Sequence, residues 1–294
     1  MDPSTPSHSH PSPPTPRTLL VAALEASGTC GRFLREQYRQ PVGEYEEKSP
    51  GDLVSEIDRE SQRLARDTLL GHTPGALFLG EEDTGEEPFW EPAPGSQPQS
   101  GEGLRWIVDP LDGTTNFLHR FPVFAVSVAA ARGQRLLAAV VYNPISDECF
   151  AAAVGEGATL NGLPLHVSTE SRLDRSLLAT GWPFRRKELL RAYLRVLEEV
   201  FQGAQGVRRA GAASLDLAWT AAGRLEGFWE YGLKLWDVAA GALIVQEAGG
   251  KVTDFSGSTG WWESGDIVAS NGRIHADLMR AAATPEGLRD LERR

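Results

Sequence analysis

Cysteine is nearly absent from this sequence. Its two residues in 294, Cys30 and Cys149, lie far apart, which rules out a disulfide framework and any zinc-type Cys spacing. Both are expected to be small buried hydrophobes. Long apolar runs are missing too. None reaches the roughly 18 residues that a bilayer-spanning helix needs, so no membrane association is expected. No long basic run occurs, and the formal net charge is −11. A binder of nucleic-acid backbone wants Lys and Arg clustered on one face, so nucleic acid is not an expected partner. The opening MDPSTPSHSHPSPPTP has no apolar stretch, which excludes a secretory signal. It reads as a disordered Pro/Ser-rich tail over 1–16. The compartment implied is the cytoplasm.

What is present is the composition of an ordinary globular protein, 41% hydrophobic and 23% charged. The length suits one large unit with a sizeable core, read here as 17–294, with an N-terminal half to about 155 and a C-terminal half from about 156. Leu20, Leu24, Phe33, Leu34 and Tyr38 recur at helical spacing over 17–40, with Gly28 and Gly31 weakening the middle. The segment QPVGEYEEKSPGD reads as a loop. Ser55-Glu56-Ile57-Asp58 then resembles a capping box opening a second helix, with Asp in the usual Glu place. A short strand over 76–79 delivers Glu81, Glu82 and Asp83, and 84–103 reads as a long exposed loop. Strands follow at 104–108, 123–131, 136–142 and 149–153, a mostly antiparallel run. From about 155 strands and helices alternate: strands at 177–179, 225–229, 251–254 and 267–269, helices at 186–202, 213–222, 237–248 and 272–283. This mixture gives an α/β or α+β class.

The densest chemistry lies in DPLDGTTNF at 109–117. Asp109 ends a strand and Pro110 bars a continuing ladder bond. Leu111 then carries the chain to Asp112. Two carboxylates with the Leu111 carbonyl beside them make a set of hard oxygen donors of the kind Mg²⁺ favours. Gly113 lets the backbone approach a ligand, and amides at the turn that follows suit an anion. The plainer alternative is an Asp-Pro turn whose acids cap backbone amides. Glu81 stands at another strand's end, and Asp237 opens the helix in LKLWDVAAGALIVQEAGG, where it also serves as an ordinary N-cap.

WIVDPLDGTTNFLHRFP and WDVAAGALIVQEAGG resemble signature segments of the inositol monophosphatase family. GEED at 80–83 and KSPGDLVSEID at 48–58 resemble that family's other two acidic motifs, in the same order over about 17–283. The resemblance implies a layered αβαβα sandwich of the sugar-phosphatase type and Mg²⁺-dependent hydrolysis of a phosphate ester. It implies two or three Mg²⁺ ions. Glu81, Asp109 and the Leu111 carbonyl would hold the first, and Asp109, Asp112 and Asp237 the second. A third would sit near Glu81. Glu81 and Thr114 would orient the attacking water, with Asp58 ordering it from outside or merely completing the capping box. The amides of Gly113 and Thr114 would hold phosphate oxygens. Asp237 is counted among the substrate contacts as well. GAAS at 211–214 and FWEYG at 228–232 resemble segments that contact the sugar alcohol, through an Ala213 backbone group and the Glu230 carboxylate. Lys48 matches an early-loop lysine only weakly. Arg208-Arg209 reads as a solvated edge or an approach to substrate, Trp182 as core, and Trp261-Trp262 as an exposed pair or a packing anchor.

The implied substrate is a small phosphorylated polyol, myo-inositol 1-phosphate before other esters such as fructose 1,6-bisphosphate. A homodimer is also implied. The alternative from a different class is a regulatory protein of transcription and ribosomal-RNA maturation with residual phosphatase activity.

Overall fold

The computed structural model describes residues 13–41, 45–49, 52–83 and 103–282. Helix α1 (Pro16–Tyr38) starts where Thr15 caps it, the hydroxyl accepting from the Thr18 amide at 3.2 Å. Thr15 and Pro16 of the expected tail therefore form the cap and first residue of α1, while 1–12 lie outside the described residues. Gly31 serves contact: a Cβ there would come 2.2 Å from the Tyr142 ring. The expected loop after α1 contains a hairpin of β1 (Tyr45–Ser49) and β2 (Asp52–Ser55). Helix α2 (Glu56–His72) follows, with Ser55 and Asp58 forming the capping box that the sequence announces.

Strand β3 (Leu77–Gly80) ends in a single 3₁₀ turn, Glu81–Asp83, and β4 (Leu104–Asp112) runs parallel to it. The loop expected over 84–103 lies outside the described residues except for Gly103. Strand β4 does not stop at Asp109. Its pairing shifts register between Asp109 and Asp112 and resumes with Asp112 opposite Ala125, a bulge that absorbs Pro110. Then come α3 (Thr114–Leu118), β5 (Ala125–Arg132), β6 (Arg135–Asn143), β7 (Glu148–Ala153), β8 (Gly157–Leu160) and β9 (Leu163–Pro164). The seven strands β3 to β9 form one sheet in chain order. It ends at Pro164.

The second half supplies β10 (Leu177–Thr180), α4 (Leu190–Gly203), β11 (Gly206–Arg208), α5 (Ala213–Ala221), β12 (Gly227–Glu230), α6 (Leu235–Glu247), β13 (Lys251–Thr253), α7 (Trp261–Ser264), β14 (Ile267–Ser270) and α8 (His275–Ala282). Its sheet is ordered β11-β10-β12-β14-β13, with β10 parallel to both β11 and β12.

Three apolar cores stack these parts into α, β, α, β, α layers. Helices α1 and α2 cover one face of the large sheet through Leu19, Leu34, Ala65 and Leu69. The apolar helices α5 and α6 fill the space between the sheets. Helices α4 and α8 cover the outer face of the small sheet through Val196, Val200 and Leu278. Strand β5 shows why its sequence is a continuous apolar run: Val126 and Val128 face the α1–α2 core while Ala125 and Ala129 face the α5–α6 core. A sheet buried on both sides loses the polar alternation. Trp261 and Trp262 are buried in edge contact, centroids 5.7 Å apart, and serve as a packing anchor.

Candidate active site

The carboxyl ends of the parallel pairs β3/β4 and β10/β12 meet at one seam between the sheets, as do the N-terminal ends of α3, α5 and α6. Strand ends and helix N-termini together favour an anionic ligand. The seam encloses a cavity of about 290 Å³. It brings together every site residue read from the sequence except Asp58: Glu81, Asp109, Leu111, Asp112, Gly113, Thr114, Ala213, Glu230 and Asp237 all line it. Lys48 lies on β1, and its side chain lies outside the described residues.

Each acid is held by its own backbone neighbourhood. Asp109 is 1% exposed, and its Oδ1 accepts from the Leu111 amide at 3.0 Å. The Ser61 hydroxyl on α2 donates to the Pro110 carbonyl at 2.9 Å and fixes the bulge. Asp112 Oδ2 accepts from the Ser214 amide at 2.8 Å and the Ser214 hydroxyl at 2.5 Å, tying β4 to α5. Asp237 stands in the third position of α6, because the helix opens two residues earlier than expected. It is thus not the N-cap; its Oδ2 accepts instead from the Lys234 amide at 2.7 Å. Glu81 opens the 3₁₀ turn, where Gln62 accepts from the Glu82 amide at 2.8 Å.

Asp58 completes the capping box and also reaches Thr114. Its Oδ2 accepts from the Ser55 amide at 2.8 Å and completes the capping box. Its Oδ1 accepts from the Thr114 hydroxyl at 3.0 Å, across from α2 to α3. It does not itself line the cavity, which it reaches through Thr114. Gly113 has φ of +93°, and a Cβ would press on the carbonyls of Val123 and Gly211 at 3.0 and 3.3 Å. Only glycine sits there without strain. Asn116 closes the turn against the second half, donating to the carbonyls of Val123 at 2.7 Å and Ala210 at 3.0 Å.

The electrostatics follow from burial and crowding. Burial, with the charges of Glu81, Asp112 and Asp237, holds the Asp109 carboxyl well above the ordinary carboxylate range. Burial and Asp237 push Asp112 up to about 7, against the pull of its Ser214 bonds. Acids so placed favour a compensating cation. The donors are all oxygen, as Mg²⁺ prefers. Among the described residues no three acidic, His or Cys side chains form a ready-made metal shell, so the fit rests on the donor chemistry and the crowding.

The other wall differs in part from expectation. Glu230 is 6% exposed, and its carboxylate lies so close over Gly181 that a Cβ there would fall within 2.1 Å of it. Arg209 lines the cavity while Arg208 does not. Trp182, expected as core, is 38% exposed and packs on Tyr193 at 5.2 Å, because it sits beyond the end of β10. Sequence reasoning missed Asp216, a buried acid of α5 in the cavity wall, along with Ser214, Asn116 and Ser61. The signal for Asp216 was an acid alone in the apolar run LDLAWTAA.

A layered α/β sandwich with this acidic seam defines the sugar-phosphatase type of fold. The chain belongs to the inositol monophosphatase family, whose profile matches residues 15–286. It is 44% identical over 266 residues to the Nus factor SuhB of Pseudomonas aeruginosa, covering 89% of this chain and 94% of that protein. It is 39% identical over 257 residues to the Nus factor SuhB of Escherichia coli, covering 87% and 92%. The crystal structure of the extragenic suppressor protein suhB from Bartonella henselae superimposes with a TM-score of 0.82 at 39% identity, covering 90% of this chain and 98% of that one. An inositol monophosphatase from Anabaena superimposes with a TM-score of 0.77 at 36% identity, covering 90% and 95%.

Proposed function

We propose that this protein is a phosphatase that hydrolyses a small phosphorylated polyol, myo-inositol 1-phosphate before other esters. The observation that carries the reading is the crowded set Glu81, Asp109, Asp112 and Asp237 beside the amides of the Gly113 turn. Phosphatases of this family depend in general on Mg²⁺. Here Glu81, Asp109, Asp112, Asp237 and the Leu111 carbonyl would hold two or three ions, which supply Lewis-acid stabilisation and a water of lowered pKa. The remaining steps belong to the chain. The amides of Gly113 and Thr114 hold phosphate oxygens at the start of α3. The Thr114 hydroxyl, anchored by Asp58, orients the attacking water, and a Glu81 oxygen takes its proton. Glu230 and the Ala213 backbone bind the polyol.

The test is phosphate release from inositol 1-phosphate, fructose 1,6-bisphosphate, 3′-phosphoadenosine 5′-phosphate and histidinol phosphate, each with Mg²⁺ and with EDTA. The expected result is Mg²⁺-dependent turnover with the highest kcat/KM on inositol 1-phosphate. Preference for another ester would move the substrate while keeping the chemistry.

The same reading includes a homodimer and a cytoplasmic site of action. Among the described residues no helix is long and apolar enough to cross a membrane. Helix α4 turns Leu190, Leu194 and Phe201 outward, 43, 45 and 64% exposed, a stripe that suits a second copy. A second role rests on the relatives being named Nus factors: a regulatory protein of transcription and ribosomal-RNA maturation that keeps its phosphatase site. Affinity capture from the native cell would recover transcription proteins under this role and none without it.

A further inference from the structure

Asp216 stands out among the buried groups that this mechanism leaves unused. It lies on α5, is 2% exposed, and lines the cavity with Glu230 and Arg209. Its Oδ1 is closed off from water and has no hydrogen-bond partner among the described residues; a ligand in the cavity would meet the carboxyl where the residue lines the wall. A buried carboxyl oxygen without a partner is costly to the fold. Nothing in the packing of α5 calls for it, since Leu215, Leu217 and Ala218 around it are fully buried and apolar. Burial, with the charges of Glu230 and Asp112, raises its pKa well above the ordinary value, and Arg209 draws it back. Either form of the carboxyl keeps an oxygen that can accept a hydrogen bond.

The position of Asp216 says which part of a ligand it would meet. Asp109, Asp112, Asp237 and the Gly113 turn occupy the phosphate end of the cavity. If the phosphate is held there, the rest of the substrate would meet the other lining residues, among them Gly181, Arg209, Glu230 and Asp216. Arg209 is the one cationic side chain among the described residues of the lining, and its charge acts on Asp216. Such a wall matches a carbon skeleton carrying several hydroxyl donors better than an aromatic or aliphatic one.

We propose that Asp216 is a specificity-determining residue whose carboxyl accepts a hydrogen bond from a hydroxyl on the non-reacting end of the polyol, next to the one bound by Glu230. The proposal rests on the phosphatase reading for its orientation of the substrate. A site built to bond a hydroxyl rejects an analogue that leaves its buried acceptor unpaired.

The test uses Asp216→Leu and Asp216→Asn in the full chain with Mg²⁺. Calorimetry reads the binding of myo-inositol in the presence of inorganic phosphate. Kinetics reads inositol 1-phosphate against p-nitrophenyl phosphate, and a thermal melt reads stability. Asp216→Leu is expected to weaken myo-inositol binding about tenfold or more. It should raise KM on inositol 1-phosphate more than it lowers kcat, and cut selectivity over p-nitrophenyl phosphate by a similar factor. It should melt no lower than the wild type, because it removes a buried carboxyl with an unpartnered oxygen. Asp216→Asn, which keeps an acceptor oxygen, should fall between. Equal losses on both esters together with a lower melting temperature would make Asp216 structural and overturn the proposal. So would undiminished myo-inositol binding in Asp216→Leu, or a wild type that binds no myo-inositol. A wild type that binds myo-inositol but cleaves no ester would sink the phosphatase reading, while the calorimetric comparison would still decide the role of Asp216.

Discussion

The Thr114 hydroxyl has one proton and two acceptors within reach, Asp58 Oδ1 at 3.0 Å and the Leu111 carbonyl at 3.1 Å. It can donate to only one at a time, and either acceptor fixes the direction of its lone pairs. Thr114→Val removes that aim at nearly constant volume. It should lower kcat by roughly 100-fold with a small change in KM, and Thr114→Ser should recover most of the loss. An equal fall in both variants would remove the hydroxyl from the chemistry. The crowded acids set a pH dependence as well. Asp109 and Asp112 are raised in the folded state, so on raising the pH the unfolded chain loses these protons first, near the ordinary carboxylate value. The stability they lend the metal-free fold is therefore full at low pH and is lost as pH rises through about 7 for Asp112. Mg²⁺ needs the ionised acids. At about 100 times its Kd it should add about 2.7 kcal/mol, or about 5 °C in Tm for a chain of this size, at pH 8. The gain at pH 5 should be far smaller. A gain in differential scanning calorimetry that is equal at both pH values would count against metal binding by these acids. At this scale the acids of the short motifs were legible through the resemblance of four ordered motifs, since DPLDG alone also reads as an Asp-Pro turn. Asp216 was not, because its meaning comes from the contact of α5 with β12, which no local pattern encodes.

Among the elements, α6 shows how packing sets a residue choice. A Cβ on Gly241 would come 2.4 Å from the Leu217 Cβ, so the close crossing of α5 and α6 requires glycine. Gly241→Val should destabilise the fold by about 1–3 kcal/mol through overpacking, seen as a lower Tm. It should also loosen the cavity, since both helices deliver site residues. An unchanged Tm would show that the crossing has slack. The long periodic helices and the apolar strands of the large sheet were legible because their patterns are strong. The β1–β2 hairpin was not: YEEKS is mostly charged and owes its pairing to β2 alone. Strands β8, β9 and β11 were missed because they are short, and β9 and β11 lie at sheet edges. The resumption of β4 past Pro110 is a tertiary effect of β5, which offers Ala125 as a partner.

Across the whole molecule, the site exists only because two sheets face each other across α5 and α6. The layered fold was legible through the resemblance of four ordered motifs; the alternation of strands and helices alone gave no more than a class. The exposed stripe on α4 predicts that Leu194→Asp with Phe201→Asp shifts the protein from dimer to monomer in sedimentation velocity; a wild type that already sediments as a monomer would remove the dimer. The central claim is that Asp109 and its neighbours form a Mg²⁺-dependent phosphoester hydrolase. Its most direct test is phosphate release from inositol 1-phosphate by wild type, Asp109→Asn and Asp83→Asn, each with Mg²⁺ and with EDTA. Asp83 pairs with Arg66 outside the cavity and serves as the control. The prediction is Mg²⁺-dependent turnover in wild type and Asp83→Asn, lost by roughly 1,000-fold in Asp109→Asn while the protein stays folded. Turnover by Asp109→Asn at the wild-type rate, or release that ignores EDTA, would contradict the account.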